Sequence, residues 1–336
     1  MLRGGVLGFG GVGQGMTRKL HEAGLAKIVA VCDRDEEKLK LARDEMGLDA
    51  TRDPKELCSR DIDFVLVTST NCAHHEHVMA AAEAGKHMLI EKPPALSMKQ
   101  MDEMIEAVEE HDLITVVDYG SRFQPACVRM KEMIDSGELG TVLSVTCFTA
   151  RGFGLYGSGA RHPAVLNPGE SGGWLLHHAC HNIDLAVWLA GDARDAYCRS
   201  GTTVPEGDSP EVVWGMMTLT SGALAVIGDT ITTMRQRYIT LIGTRATLEL
   251  IRTPTDDVLH MRRETGKEFP YFEDVLGYGT FWRDAVLREL ITCIREKRDS
   301  PHNLRSTRPS LAAALALEES RKTGKIVPLS EAAPSR

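Results

Sequence analysis

The fold of this chain is decided by the stretch RGGVLGFGGVG at residues 3–13. An apolar strand pattern leads into Gly8, Gly10 and Gly13, whose spacing is G-x-G-x-x-G, and a helical pattern then continues to Leu20. In such a strand–turn–helix unit the first glycine permits a tight turn, the second lets a phosphate approach the backbone, and the third lets the helix pack closely on the strand. The stretch therefore predicts the opening unit of a doubly wound, dinucleotide-binding sheet.

A carboxylate follows this turn at the spacing that a ribose contact requires. Asp33 ends the second predicted strand, 20 residues after Gly13, where it can accept hydrogen bonds from the adenosine ribose hydroxyls. That position favours NAD, while the neighbouring Arg34 keeps NADP open because an arginine can pair with a 2′-phosphate. The candidate cofactor-binding residues on this side of the sheet are Gly8, Gly10, Gly11, Val12, Gly13, Asp33, Arg34 and Thr68.

The pattern of elements changes after about residue 120. Before it, short apolar runs alternate with helical patterns, which is typical of a parallel sheet covered on both faces. After it, longer strands rich in Thr, Val and Ile follow one another and predict a large, mainly antiparallel sheet, interrupted by helices at 173–189 and about 280–296. We therefore expect an α/β chain with three parts: a Rossmann domain at 1–120, an α+β domain for substrate binding and oligomerisation at 121–330, and a disordered tail at 331–336.

Composition and charge argue against several classes of protein. The 336 residues carry 39 Lys and Arg against 47 Asp and Glu, a net charge of −8, which argues against nucleic acid or an anionic membrane as the main partner. No apolar run approaches the ~18 residues of a helix that spans a bilayer. The eight cysteines contain no C-x-x-C pair, so we expect reduced thiols in a cytoplasmic protein.

A second motif, Glu91-Lys92-Pro93, stands at the carboxyl end of another apolar predicted strand, where open α/β sheets bind their ligands. A lysine ammonium held near a positively charged nicotinamide ring is pushed toward neutrality and can then move a proton. Glu91 can accept hydrogen bonds from the cofactor. An isolated E-K-P is usually a surface salt bridge beside a proline turn, so a functional interpretation depends on the rest of the chain.

These motifs and their order resemble the glucose–fructose oxidoreductase, inositol dehydrogenase and rhizopine-catabolism (Gfo/Idh/MocA) family. Besides the glycine turn, the resemblance rests on TNCAH at 70–74, AGKHMLIEKP at 84–93, Arg122-Phe123-x-Pro125, Gly172-Gly173 and His181-x-x-Asp184, and it extends to about Leu329. The run that ends in E-K-P is its most specific part. The resemblance implies NAD(P)-dependent hydride transfer on a sugar, polyol or sugar derivative. It also implies homodimers or homotetramers that associate through the open face of the second sheet.

The resemblance further implies roles for single residues. Lys92 matches the catalytic lysine of the family, and the proline that follows it is often cis. The positions that match the family's nucleotide contacts are Asn71, His74, Glu91, Lys92 and Arg122. Thr70 stands where the family usually has proline.

The predicted helix at 173–189 has one buried side, and His177 and His181 share a face of it because they are four residues apart. His181 matches the histidine of a D-x-x-x-H pair that, with the lysine, handles the proton of the substrate hydroxyl in the family. His177 stands where the family usually has aspartate. An aspartate would orient the imidazole and balance the charge of the lysine, whereas a neutral histidine can only orient. We predict that Lys92 and His181 are the proton-transfer pair and that His177 binds or relays.

The histidine cluster is also compatible with a buried core or a metal site. H-x-x-x-H without a third placed ligand is weak support for a metal, and we predict none. A glycine-rich segment before the helix carries Arg161 and His162, which can lie over a substrate or in solvent. The candidate substrate-binding residues are Lys92, Arg161, His162, Trp174, His177, His178 and His181.

The sequence thus predicts an enzyme that transfers a hydride between nicotinamide and a hydroxyl-bearing carbon of a small carbohydrate or polyol. Two alternatives stay open. One is an enzyme of the same fold that uses NAD for transient oxidation while it cleaves a glycosidic bond or eliminates a leaving group, which the unusual His177 permits. The other is a non-enzymatic dinucleotide-binding sensor, against which the presence of Lys92 and His181 argues.

Overall fold

Helices and strands make up most of the chain that this computed structural model describes, which comprises residues 1–151, 167–201, 212–231, 236–252, 257–263, 271–278 and 283–329. The α-helices are α1 (Gly11–Glu22), α2 (Glu36–Met46), α3 (Pro54–Cys58), α4 (His74–Glu83), α5 (Met98–Glu110), α6 (Pro125–Asp135), α7 (Pro168–Ser171), α8 (Cys180–Ala190), α9 (Arg283–Glu296) and α10 (Leu304–Thr323). The strands are β1 (Arg3–Leu7), β2 (Lys27–Cys32), β3 (Asp49–Thr51), β4 (Phe64–Val67), β5 (His87–Ile90), β6 (Thr115–Val117), β7 (Val142–Ala150), β8 (Ala193–Gly201), β9 (Val212–Leu219), β10 (Leu224–Thr230), β11 (Gln236–Gly243), β12 (Ala246–Arg252), β13 (Asp257–Arg263), β14 (Tyr271–Tyr278) and β15 (Val327–Pro328). Arg161, His162 and the predicted tail at 331–336 lie outside the described residues.

The chain divides into two compact units. One contains Met1–Gly120 and Trp282–Arg308, and the other contains Ser121–Phe281 and Pro309–Arg336. The sequence-based division places 282–308 in the second domain, whereas the structure groups these residues with the first unit because α9 packs on α1, β5 and β6. Lys19 donates a hydrogen bond of 2.9 Å to Asp284, and Arg295 donates one of 2.9 Å to the carbonyl of Leu25, so both ends of α9 are fastened to the first unit.

The first unit is built on a six-stranded parallel sheet with the order β3-β2-β1-β4-β5-β6. This is the predicted doubly wound architecture. β4 is buried along its whole length, as expected of a strand inside such a sheet. The strand order runs outward in one direction from β1 and in the other from β4, so a crevice opens at the carboxyl ends of these two strands. The glycine turn follows β1, Thr68 follows β4 and Glu91 follows β5, which places these residues at one edge of the sheet.

Helices α2 and α5 of the first unit begin at residues whose side chains cap them. At α2 the Asp35 carboxylate accepts a hydrogen bond of 3.0 Å from the backbone of Glu37, and at α5 the Ser97 hydroxyl accepts one of 3.2 Å from the backbone of Gln100. Ser97 is thus the N-cap of α5. Within the described ranges, no helix combines the length and the apolarity needed to cross a bilayer.

The second unit is built on a sheet whose nine described strands have the order β14-β13-β12-β11-β7-β10-β9-β8-β15. Neighbouring strands are antiparallel except β7 and β10, which run parallel. Cys147, Ile227 and Leu241 are buried on one face of this sheet, and α8 packs against β7 and β10. The mainly antiparallel second sheet that the strand-rich sequence predicts is confirmed.

Candidate active site

The glycine turn between β1 and α1 has no room for a side chain at Gly8 and Gly13 but has open space at Gly10 and Gly11. Gly8 has a φ of +95°, and a Cβ on it would lie 2.4 Å from the Cα of Ser69; a Cβ on Gly13 would lie 2.5 Å from the carbonyl oxygen of Gly8. Side chains are therefore excluded at both. A Cβ on Gly10, in contrast, would have no neighbouring atom within 4 Å. This open space at the N-terminus of α1 fits the pyrophosphate of a dinucleotide.

The carboxylate of Asp33 is fixed against the same turn. One oxygen, Oδ2, accepts a hydrogen bond of 2.7 Å from the backbone of Phe9, and Oδ1 accepts one of 3.0 Å from the backbone of Asp35. The side chain is nearly buried, with Lys38 Nζ 3.5 Å from Oδ1, whereas Arg34 is exposed. A carboxylate has lone pairs to spare after two such bonds, so Asp33 fits the role of a ribose acceptor.

Thr68, a predicted cofactor contact, supports the turn from the end of β4. Its hydroxyl donates a hydrogen bond of 2.7 Å to the carbonyl of Gly8, and its backbone donates one of 2.8 Å to the carbonyl of Leu7. The side chain is buried. Thr68 therefore holds the conformation of the glycine turn.

The E-K-P motif follows β5 directly, at the same edge of the sheet as the glycine turn. The Lys92–Pro93 peptide bond is cis, the form that the family resemblance implies. The Glu91 side chain is 9% exposed, and its Oε2 accepts a hydrogen bond of 3.2 Å from the backbone of Lys92. Lys92 itself is half-buried. The motif thus presents a lysine and a nearly buried carboxylate at the carboxyl end of the strand next to β4.

His74, at the start of α4, joins two loops of the first unit. Its Nδ1 lies 2.9 Å from the carbonyl oxygen of Pro93, and its Nε2 lies 3.1 Å from that of Ser69. The ring is fully buried, and this burial lowers the pKa of His74. The family resemblance implies a nucleotide contact at this position, but both ring nitrogens face backbone carbonyls. His74 therefore connects the loop beside Gly8 with the loop that carries Lys92. Asn71 lies nearby in sequence, in a short 3₁₀ turn before α4, and is also nearly buried.

In the second unit, Arg122 belongs to a buried ion pair. Its Nε and Nη2 donate hydrogen bonds of 3.0 and 2.7 Å to the two carboxylate oxygens of Asp184, and the Ser310 hydroxyl adds a third donor at 2.7 Å. The side chains of Arg122 and Asp184 are 2% and 0% exposed. This bidentate pair links the 3₁₀ turn Gly120–Phe123 to α8 and α10.

The helix that the sequence predicts at 173–189 is present, but part of it is wider than a regular α-helix. Residues Leu175–Ala179 form a wide π-type turn, and regular α-helix begins at Cys180. His177 and His178 lie in this turn, and His181 lies in the first turn of α8. Wide turns of this kind occur often at functional sites because they re-aim side chains.

The aromatic rings of this turn pack against one another. The ring centroids of Trp174 and His178 are 4.3 Å apart, and those of His178 and His177 are 4.6 Å apart in an edge-on arrangement. Trp174 and His178 are buried, while His177 and His181 are half-exposed. Of the four side chains predicted to bind substrate here, His177 and His181 are therefore the accessible ones, and Trp174 and His178 support them.

The described ranges contain no group of three or more His, Cys, Asp or Glu side chains arranged to hold a metal ion. The side chains of Lys92 in the first unit, and of His177 and His181 in the second, can donate and accept protons. The sequence did not identify Asp229 and Arg151 as site residues. Both lie beneath the wide turn Leu175–Ala179, which carries His177 and His178 and is called the histidine turn below. A signal was present, because Asp229 occupies a core-facing position of β10 that is otherwise filled by Ala225 and Ile227.

Two parts of this chain match domains of a known protein family. Residues 2–119 match the oxidoreductase family with an NAD-binding Rossmann fold, and residues 127–249 match the GFO/IDH/MocA C-terminal domain. This is an NAD-binding oxidoreductase. Because both matches are to the same family, the chain belongs to the Gfo/Idh/MocA oxidoreductases, which confirms the resemblance that the motifs carry.

The relatives it resembles act on different compounds. Myo-inositol 2-dehydrogenase of Thermotoga maritima is 27% identical over 310 residues, which cover 88% of this chain and 87% of the relative. The 2,7-anhydro-N-acetylneuraminate hydratase of Mediterraneibacter gnavus is 29% identical over 255 residues, 73% of this chain and 66% of the relative. The structure of a levoglucosan dehydrogenase in complex with NADH superposes with a TM-score of 0.87 at 20% identity and covers 98% of this chain and all of that one (100%), which shows the shared fold.

Proposed function

We propose that this protein catalyses hydride transfer between NAD and a hydroxyl-bearing carbon of a sugar, polyol or sugar derivative. The observation that carries the proposal is the placement of Lys92. It follows β5 at the sheet edge that also holds the open glycine turn and Asp33, where an open α/β sheet binds its dinucleotide. When bound, NAD supplies the hydride chemistry, and inositol and levoglucosan dehydrogenases among its relatives support a small hydroxylated substrate.

The residues of the chain bind the cofactor and manage the proton. The glycine turn faces the pyrophosphate, Asp33 accepts from the ribose, and Glu91 accepts from the cofactor. Lys92 Nζ takes the proton of the substrate hydroxyl during oxidation and returns it during reduction. His181 is the partner of Lys92 in moving this proton, by its match to the family motif, and His177 binds the substrate or relays.

Substitution of Lys92 tests the proposal. We expect Lys92→Met to lower kcat by about 10²–10⁴-fold, the usual contribution of a positioned acid or base, while NADH still binds in a fluorescence titration. Lys99→Met is the matched control, because Lys99 lies in the same unit with its side chain 85% exposed. The assay measures NADH formation with a panel of polyols, hexoses and anhydrosugars. Unchanged turnover in Lys92→Met would refute the assignment.

His181→Ala extends the test to the second unit. We expect turnover to fall far more than cofactor affinity does, since His181 handles the proton and the first unit binds NAD. Near-normal turnover in this variant would remove His181 from the mechanism and leave Lys92 as the only proton carrier.

A second candidate function has a specific observation in its favour. One relative is named a hydratase rather than a dehydrogenase, and His177 replaces the aspartate that is usual in the family. An enzyme that oxidises its substrate only transiently would retain NAD and release product without net NADH. Mass spectrometry of the protein as purified, together with NADH release during turnover, separates the two candidates. A protein that binds NAD but converts no compound of the panel would instead support the sensor.

We also propose that the protein is a homodimer or homotetramer that associates through the exposed face of the second sheet. Strand register places Trp214, Phe148, Tyr238 and Ile251 in one row across this face. The rings of Trp214 and Phe148 stack at 5.4 Å, and those of Phe148 and Tyr238 at 5.0 Å. An apolar, aromatic row on the accessible face of a sheet is typical of a protein–protein interface.

A further inference from the structure

Asp229 is a fully buried carboxylate in the second unit, on the β10 strand beneath the histidine turn. Its side chain accepts four hydrogen bonds: from Trp174 Nε1 at 3.0 Å, from Arg151 Nε at 3.2 Å, from Arg151 Nη2 at 2.7 Å and from Asn182 Nδ2 at 3.4 Å. Burying a charge is unfavourable unless it is paired and hydrogen-bonded, and here it is both. The proposed chemistry makes no use of this acid, so its place requires another explanation.

The donors to Asp229 come from both sides of the wide turn. Trp174 immediately precedes the turn, and Asn182 follows it in α8, where it also donates a hydrogen bond of 3.1 Å to the carbonyl of Gly228. Arg151 comes from the end of β7, the strand parallel to β10. The carboxylate therefore ties the entrance and the exit of the turn to the two central strands beneath it.

Two routes lead from Asp229 to the histidines. Arg151 uses the Nη2 that bonds Asp229 to donate a hydrogen bond of 2.6 Å to the backbone carbonyl of His178. Trp174, held by its indole N–H, packs its ring against that of His178, and the His178 ring meets that of His177 edge-on. A wide turn disturbs the regular hydrogen-bond ladder of a helix, so side-chain donors from outside stabilise the conformation.

Burial and ion pairing act in opposite directions on the pKa of Asp229. Burial raises the pKa of Asp229, and the Arg151 guanidinium opposes this rise. The side chain of Arg151 is only 16% exposed. Removing the charge of one partner would leave the other buried and uncompensated, so the pair holds the turn only while both are ionised.

We infer that Asp229 is a positioning residue: through Arg151 and Trp174 it sets the orientation of His177 and His178 and thereby the alignment of substrate. The inference rests on the proposed function, since it assigns the histidine turn to the substrate. It adds a residue that the family motifs do not include.

Asp229→Asn tests the inference because it keeps the volume of the side chain and an acceptor for Trp174 but removes the charge that Arg151 requires. We expect kcat/KM for the sugar or polyol to fall at least tenfold, with KM rising, while the Kd of NADH changes less than twofold. Trp174→Phe keeps a ring against His178 and removes only the indole N–H, so we expect a smaller loss in the same direction.

The matched control is Ser320→Ala. Ser320 is also fully buried in the second unit, and its hydroxyl bonds the backbone of Cys198 and the carbonyl of Lys325 at the far edge of the sheet. It should lower the melting temperature without changing kcat or KM. If Asp229→Asn behaved like this control, Asp229 would be purely structural and the inference would be wrong.

A measurement that needs no activity separates this inference from the proposed function. We expect the ring proton resonances of His177 and His178, assigned by single substitution, to shift in Asp229→Asn and to stay unchanged in Ser320→Ala. If the resonances shift in Asp229→Asn but the wild-type protein has no dehydrogenase activity, the positioning role is upheld and the proposed function is overturned. Unshifted resonances would overturn the positioning role whatever the activity.

Discussion

Asp33 is the residue through which we propose that this chain selects its cofactor. Both of its oxygens accept hydrogen bonds from backbone N–H groups, of Phe9 and Asp35, so the carboxylate cannot swing away from a group placed beside the glycine turn. A ribose hydroxyl would donate to this fixed anion, whereas the 2′-phosphate of NADP would be repelled by it. The exposed Arg34 offsets little of that repulsion, because exposed charge pairs contribute only about 0–1 kcal/mol.

From this geometry we predict that the wild-type protein binds NAD more tightly than NADP. Asp33→Asn should weaken NAD binding about tenfold, since a charge-assisted hydrogen bond exceeds a neutral one by about 1.4 kcal/mol. The same substitution should also reduce the difference between the Kd values of NADH and NADPH. Fluorescence titrations with NADH and NADPH measure both, and Arg34→Ala is the control that should leave the NADH Kd unchanged. Tighter binding of NADPH by the wild type would show that the carboxylate does not face the ribose.

At the scale of elements, the sequence predicts best what depends on local pattern. The runs 64–67 and 87–90 form β4 and β5, and Ser97 caps α5. Apolar spacing cannot distinguish a regular helix from the wide turn Leu175–Ala179, because that turn is stabilised by contacts with distant strands. Helical periodicity likewise does not tell which sheet the 283–296 helix packs on.

The features of the candidate site fall into two groups, those that the sequence identifies and those that only the fold shows. Gly8, Asp33 and Lys92 could be proposed from the sequence because their spacing and their positions at strand ends indicate a chemistry, and their roles stay predictions. The contacts of His74 with Pro93 and of Arg122 with Asp184 were not predictable, since these partners lie 19 and 62 residues away in the chain. Sequence spacing identifies which residue types are available, and only the fold shows which backbone or carboxylate each of them contacts.

The Arg122–Asp184 pair carries a prediction about the second unit. Asp184→Asn keeps the shape of the side chain but leaves the Arg122 guanidinium buried without its counter-charge, so we expect the free energy of unfolding to fall by about 3–5 kcal/mol. Urea denaturation measures the change. Glu132→Gln, which removes the charge of an exposed pair with Arg129, is the control and should have little effect. Equal effects of the two substitutions would mean that the buried pair adds no more than a surface pair.

At the scale of the whole molecule, the notable feature is the apolar character of the exposed face of the second sheet. An antiparallel sheet with one solvated face normally alternates apolar and polar residues. Here the accessible face carries Trp214 and Met216 on β9 and Leu224 on β10, each 43–49% exposed. Gly228 lies between Trp214 and Phe148 in the register, and a Cβ there would come within 2.6 Å of the Phe148 ring, so the glycine admits the stacked rings.

We predict that Trp214→Arg dissociates the protein into smaller species. An interface between two copies must bury roughly 1,000 Å² or more to be stable, and a charge in the centre of an aromatic row would be desolvated there without a partner. Sedimentation velocity over a range of micromolar concentrations measures the association. Ile326→Arg is the matched control, because Ile326 is 66% exposed in the same unit but precedes the edge strand β15. It should leave the sedimentation coefficient unchanged. A wild-type protein that sediments as a monomer throughout, or a Trp214→Arg variant that associates as the wild type does, would mean that this face is not where the copies meet.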